Sequence, residues 1–270
     1  MSVNCSSKQT SCSSGKKDLL SAEALKTTKI KKIIAVLSGK GGVGKSMVTA
    51  LLATSFAKKG YKVGVMDGDI TGPSIPKILG MEGECYGSEE GILPLESKLG
   101  IKAVSINFML DDPGQPVLWK GPIIGSMVKQ FYSDVVWNEL DYLFIDMPPG
   151  TGDVALTVFQ SIPVDGVVVV TSPQDLVSMI VSKALNMAKT MNKPIIGLVE
   201  NMSYVKCPCC NEKIHIFNES KTLQTAQEFN VPFLASLPLD PKLAQAADAG
   251  KLEEMQVEGL EKLIYEVEHC

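Results

Sequence analysis

No apolar run in this chain approaches the roughly 18 residues that a bilayer-spanning helix needs. Met1 to Lys17 is polar and lacks the apolar core of a secretory signal. Neither a spanning nor a secreted protein is expected, and the expected compartment is the cytoplasm. An excess of positive charge is missing too: 26 basic residues face 30 acidic ones, for a net charge of −4. That balance offers no electrostatic footprint for nucleic acid. Neither nucleic acid nor membrane is therefore an expected partner. Cysteine is present, seven in all, but in a cytoplasmic chain this argues against a disulfide framework and for metal or redox chemistry where the thiols cluster. Cys85 stands alone and reads as structural, and nothing is assigned to Cys270.

What is there is enough for one large α/β domain, since 270 residues can cover a core sheet on both faces. Residues 1–28 read as a flexible polar tail, because Ser, Lys and Thr leave too little apolar surface to offset the entropy of ordering. Cys5 and Cys12 lie in it and read as incidental thiols. Residues 29–270 read as a single domain without internal repeat. Strands are expected at 33–37, 61–66, 101–106, 142–145, 167–170 and 195–199, with a short one near Phe233. Helices are expected after Ser46 and at 74–79, 121–132, 174–191 and 219–229, followed by two acidic C-terminal helices. Residues 80–100 read as an irregular excursion. Strands alternating with helices predict a doubly wound, mostly parallel sheet with helices on both faces.

The most informative stretch is Gly39-Lys40-Gly41-Gly42-Val43-Gly44-Lys45-Ser46, which fits the phosphate-cradling pattern G-x-x-x-x-G-K-[ST]. A β-branched apolar run precedes it. Val48, Leu51, Leu52 and Phe56 follow at helical spacing and predict an amphipathic helix. Glycines let backbone N–H groups approach a phosphate, and the helix offers its positive end to the same anion. Lys45 places an ammonium on the terminal phosphates, and the Ser46 hydroxyl ligates Mg²⁺. Lys40, directly after the first glycine, makes the loop resemble the deviant form of Min-type, ParA-type and nitrogenase-reductase-like ATPases. In that branch this lysine reaches the partner's nucleotide across a dimer interface.

Ligands of an open α/β sheet bind at the carboxyl ends of its strands. Asp146 closes an apolar run there, the arrangement of a carboxylate that holds the Mg²⁺ shell. Pro148 to Asp153 is a glycine-rich turn able to sense a γ-phosphate. Asp67 and Asp69 close the second strand, and their two-residue separation predicts side chains aimed the same way. A carboxylate here can orient an attacking water.

Further blocks make the chain resemble the Mrp/ApbC-type iron–sulfur cluster carrier ATPases, P-loop NTPases of the Min-like SIMIBI class. They are Asp67 to Ser74, Trp119 to Pro122, Glu139 to Tyr142, Asp146 to Asp153, Thr171 to Gln174, Glu200 to Ser203 with Cys207 and Cys210, and Leu237 to Pro241. The resemblance implies that Asp69 positions the hydrolytic water, that Asn201 reads the adenine, and that Pro238 belongs with the nucleotide-binding residues. Lys120 stands where the family more often has Arg, which removes a bidentate fork. Ile180 and Ser182 occupy positions that are often Asp and Arg. The tail lacks the four-cysteine pattern of eukaryotic cytosolic relatives, so no second cluster is expected there.

The cysteine loop, residues 203–217, contains Cys207-Pro208-Cys209-Cys210. Two thiolates cannot complete a four-coordinate site, whereas two copies facing across a twofold axis can. The resemblance accordingly implies a homodimer bridged by a [4Fe–4S] cluster on Cys207 and Cys210 of each chain. It further implies a cluster donor and apo iron–sulfur proteins as recipients, and a slow ATPase coupled to transfer. A structural zinc on Cys207, Cys209, Cys210 and His215 remains open as the alternative, within a MinD/ParA-like ATPase. A redox dithiol is disfavoured because no helix start at the motif is expected to depress a thiol pKa. The acidic C-terminal segment argues against a membrane-positioning role. The absence of a cysteine between Met147 and Asp153 argues against electron donation of the nitrogenase-reductase kind.

Overall fold

The β-branched run at 33–37 is the inner part of β1 (Lys29–Ser38), which the computed structural model sets in the middle of the main sheet. The structure describes residues 21–110, 121–174, 177–217 and 220–270. After β1 come α1 (Lys45–Lys58), β2 (Val63–Asp67), α2 (Ile75–Ile78), β3 (Gly87–Ser88), β4 (Gly91–Ile92), β5 (Leu95–Glu96) and β6 (Lys102–Val104). Then follow α3 (Gly121–Ser133), β7 (Glu139–Asp146), α4 (Asp153–Ser161), β8 (Gly166–Thr171), α5 (Val177–Thr190) and β9 (Ile195–Lys206). The chain ends with β10 (Lys213–Ile214), α6 (Thr222–Glu228), β11 (Phe233–Pro238), α7 (Pro241–Asp248) and α8 (Glu261–His269).

The strands lie in the order β10-β9-β8-β1-β7-β2-β6-β5, with β11 also alongside β9. Pairing is parallel except at the margins, where β5 and β10 run antiparallel to their neighbours. Every residue of β2 and of β8 is buried, as their unbroken apolar runs require when helices cover both faces. The chain leaves β1 towards β2 on one side and later reaches β8 on the other. A crevice therefore opens beyond the end of β1, flanked by β7 and β8. One apolar core lies under α1 and the C-terminal elements, the other under α3, α4 and α5.

Four readings of the sequence need correction. The helix after the phosphate loop is not amphipathic: Val48, Thr49, Ala50, Leu51, Leu52, Ala53, Thr54 and Phe56 are all buried. The sheet covers one side of α1, while α2, α8 and the 3₁₀ turn Leu252–Glu254 cover the other, so its outer positions must be apolar as well. That cover is closed by a backbone contact. Gly80 (φ +63°) and Gly250 (φ +65°) touch so closely that a Cβ on Gly80 falls 2.2 Å from the Gly250 carbonyl oxygen. Second, the excursion at 80–100 holds the β3–β4 hairpin and the margin strand β5. Third, a helix stands at 153–161 where none was expected. Fourth, β9 runs to Lys206 rather than ending near Val199, so Ser203 is a buried strand residue and not part of a loop. The expected tail falls outside the described residues as far as residue 20. Residues 21–28 lie against the domain, with the Ala22 N–H donating to Ser161 O at 2.8 Å and Ala22 and Ala24 on the second core. Trp119 and Lys120 also lie outside the described residues. No helix among the described residues is long and apolar enough to cross a membrane.

Candidate functional site

Between Ser38 and Lys45 the chain turns from strand to helix with almost no side chain inside the turn. Gly42 and Gly44 both take φ +80°. Gly44 precedes α1, and a Cβ on it would lie 2.2 Å from the Asn201 amide nitrogen. That amide, on a residue only 6% exposed, donates to Val43 O at 3.0 Å. No side chain caps the start of α1, and its first turn holds no acidic residue. The free N–H groups and the positive helix end are thus open to an external anion.

Facing this loop is a cluster of opposite charges. Lys45, 5% exposed, has its Nζ 2.8 Å from Asp146 Oδ2 and 3.9 Å from Asp69 Oδ2. Ser46 Oγ donates to Asp146 Oδ2 at 2.6 Å, and Thr49 Oγ1 donates to Asp146 Oδ1 at 2.8 Å. Asp67 lies opposite Asp146 across β2 and β7. Burial, and then the Asp146 charge beside it, push the Asp67 carboxyl up to about 8. Burial also raises Asp69, with the Lys45 ammonium opposing. Asp69 and Asp146 face one ammonium, with the protonated Asp67 carboxyl behind them, and this leaves room for further positive charge. Hydroxyl and carboxylate oxygens are the donors a hard divalent cation takes. No three His, Cys, Asp or Glu side chains converge on one point among the described residues. Ser46 and Asp146 therefore fit an ion that keeps phosphate and water as its other ligands, as Mg²⁺ does.

Asp67 and Asp69 do not share a direction. β2 ends at Asp67, so strand alternation stops before Asp69. Asp67 accepts from Ser105 Oγ at 3.2 Å and from the Ile75 and Asp69 N–H groups, while Asp69 faces Lys45. The turn after Asp146 is tied to β1 through Gly150 N–H to Ser38 O at 2.8 Å. Asp153 is the first residue of α4 rather than part of that turn. Lys40 is exposed, with Nζ 3.0 Å from Gln174 Oε1 of the same chain. Pro238 closes β11 opposite Tyr204 of β9.

Past Lys206 the chain makes a tight knuckle and returns as β10. Cys207 N–H donates to Glu212 O, and Asn211 N–H donates to Cys207 O, both at 2.9 Å. Cys209 and Cys210 are exposed and Cys207 half-buried, all three as free thiols. Backbone N–H groups of Cys209 and Cys210 hold the Cys207 thiol below its ordinary pKa. A turn, with no helix, does what was expected to require one. His215, the fourth ligand of the zinc alternative, turns its Nδ1 to Ser203 O at 3.3 Å. The four donors of that alternative do not gather, and the zinc site is not favoured.

Sequence reasoning missed Thr49, Ser105 and Gln174 as partners of site residues. Thr49 carried a signal, since it lies one helical turn after Lys45 and shares its face. Ser105 carried none, because its partner is 38 residues away.

The comparisons agree with this geometry. A ParA family model, described as that of the NUBPL iron-transfer P-loop NTPase, matches residues 29–267. The iron-sulfur cluster carrier protein of Methanocaldococcus jannaschii is 49% identical over 251 residues, covering 91% of this chain and 86% of that protein. A nucleotide-binding protein from Archaeoglobus fulgidus, solved in complex with ADP, is 44% identical with a TM-score of 0.77, over 86% of this chain and 91% of that one. The cell division ATPase MinD of Pyrococcus furiosus, 20% identical, shares the fold with a TM-score of 0.63 over 88% of this chain and 97% of that one. With a phosphate loop, a buried lysine–aspartate pair and a thiol-bearing hairpin on a mostly parallel sheet, the chain belongs to the family of NUBPL-type iron-transfer P-loop NTPases, relatives of the iron–sulfur cluster carriers.

Proposed function

We propose that the protein binds and hydrolyses ATP and, as a homodimer, carries a [4Fe–4S] cluster that it passes to apo iron–sulfur proteins after receiving it from a donor. The observation that carries the nucleotide half is the Lys45–Asp146 pair with Ser46 at the uncapped start of α1. Phosphates of ATP lie against the N–H groups of Gly39 to Ser46 and draw the Lys45 ammonium away from Asp146. Ser46 and Asp146 hold Mg²⁺, which neutralises charge on the phosphates. Asp69 orients the attacking water, and its raised affinity for protons suits that task. Asn201 and Pro238 take the adenine end, Asp67 supports Asp69, and Lys40 reaches the partner's nucleotide on dimer formation.

The cargo half rests on a donor count. Each chain presents Cys207 and Cys210 on an exposed knuckle, two of the four thiolates that such a cluster takes. A twofold pair supplies the rest and leaves the cluster near solvent, from which it can be surrendered. Carriage among apoproteins fits a cytoplasmic location. Anaerobic reconstitution with iron and sulfide, followed by metal analysis, Mössbauer spectroscopy and size-exclusion chromatography, tests the assignment. Four irons and four sulfides per dimer are expected. A monomer with one zinc per chain and no sulfide overturns it.

A further inference from the structure

The strand that leads to the cysteines is irregular where it passes the phosphate loop. Between the pairs Glu200–Ser236 and Tyr204–Pro238, β9 advances four residues while β11 advances two. The extra length is a bulge over residues 201–203, with Met202 at φ 57°. A non-glycine residue held there stores strain, and bulges beside active sites re-aim side chains.

Two neighbours at the bulge serve different partners, because successive strand residues face opposite ways. Asn201 holds Val43 O of the phosphate loop. Glu200, 4% exposed, faces the other core and accepts the hydroxyls of Ser203, Ser220 and Thr222. Ser220 and Thr222 are where the chain enters α6 on its return from the cysteine hairpin. Ser203 leads into that hairpin, and Cys207 stands six residues beyond Asn201. The strand entering the hairpin and the start of α6, the next helix after it, are thus tied to one buried carboxylate, and the residue beside that carboxylate is tied to the phosphate loop.

We infer that Glu200 and Asn201 are positioning residues that couple nucleotide binding to the geometry of the cysteine pair, with the bulge as the joint. Movement of the Val43 carbonyl is passed to Asn201, and Glu200 passes it to Ser203, on the strand that enters the hairpin, and to the start of α6. This inference rests on the proposed nucleotide reading and on nothing assumed about the cluster.

The test uses full-length, reduced, metal-free protein. N-ethylmaleimide alkylation of Cys207, Cys209 and Cys210 is followed site by site by mass spectrometry, with and without ATP and Mg²⁺. Cys85 serves as the internal standard, and nucleotide affinity is titrated on the same samples. In the wild type, nucleotide is expected to change the rates at Cys207 and Cys210 by about fivefold or more, the ordinary range of coupling between sites. In Glu200→Gln, nucleotide binds with wild-type affinity and the ratio falls towards one. Ser203→Ala, which removes only the hydroxyl that joins the strand before the cysteines to Glu200, gives a fall in the same direction and decides the matter if Glu200→Gln does not fold. A role confined to folding lowers the melting temperature of Glu200→Gln and leaves the ratio intact, which overturns the inference. So does a wild type that binds nucleotide with unchanged thiol rates. A wild type that binds no nucleotide fails earlier, at the nucleotide reading itself.

Discussion

The phosphate loop follows β1, the cysteine hairpin follows β9, and the two are built in opposite ways. In the first, the central charges are buried and cross-linked: the Asp146 carboxylate takes an ammonium and two hydroxyls, and Lys40 alone of the loop's charges stands exposed. In the second, the reactive groups stand on a two-residue ladder at the sheet margin, and two of the three thiols are exposed. A site that must grip the same ligand in every cycle gains from rigid, prepaid geometry. On the proposed function, the second site must let its cargo go and gains from being completed only by a second chain.

The largest expected effect separates the two regions outright. Cys207→Ser or Cys210→Ser is expected to abolish cluster iron and sulfide after anaerobic reconstitution while ATP hydrolysis persists. The mirror experiment is Lys45→Ala, which is expected to retain the cluster and lose hydrolysis by about a hundredfold or more, as measured by phosphate release. Removing the ammonium also leaves a buried carboxylate without its counter-charge, so chemical denaturation should show a loss of about 3 kcal/mol. Next comes Gly44→Ala, which combines a left-handed backbone with the Asn201 collision, at about 1–3 kcal/mol. A thermal melt of this variant set against one of Cys210→Ser, which touches no buried group, sharpens the contrast.

The pH dependence is subtler. Asp67 titrates near 8 in the folded protein against 3.8 in the unfolded chain. Between those values the folded state binds the extra proton, so stability contributed by this group falls as pH rises from about 4 to about 8, and is flat above. Asp67→Asn should flatten that slope in nucleotide-free protein. If the slope persists, the assignment of the titrating group is wrong. The smallest effect is expected from Cys209→Ser, which leaves cluster content unchanged. Equal loss from all three cysteine variants would return the argument to a three-cysteine site.

Much of this was legible in the sequence because the chemistry restricts residue type. A phosphate cradle requires Gly42 and Gly44 where the backbone turns left-handed, and an acid closing an apolar strand falls at the crevice, so the place of Asp146 beside Lys45 and Ser46 could be read from the sequence. The amphipathic reading of α1 failed because apolar spacing reports which positions are buried, not whether the polar ones are covered too; Thr49 and Thr54 look outward on a helical wheel and are inside. β9 was cut short at Val199 because Glu200-Asn201-Met202-Ser203 has no strand signature. Its polar side chains are satisfied by Val43, Ser220 and Thr222, partners no local pattern could supply.

The touching glycines, Gly80 and Gly250, have a consequence for anyone trimming the protein. After Gly250, the 3₁₀ turn Leu252–Glu254 and part of α8 roof the helix that begins at Lys45, and the two backbones are the hinge pin of that roof. A truncation at that point would remove no residue of either site, yet it would strip Leu252, Leu260, Leu263 and Val267 from the core that holds Phe56 and open that core to water. The product would be sticky before it was inactive, and precipitation during purification would be the first symptom.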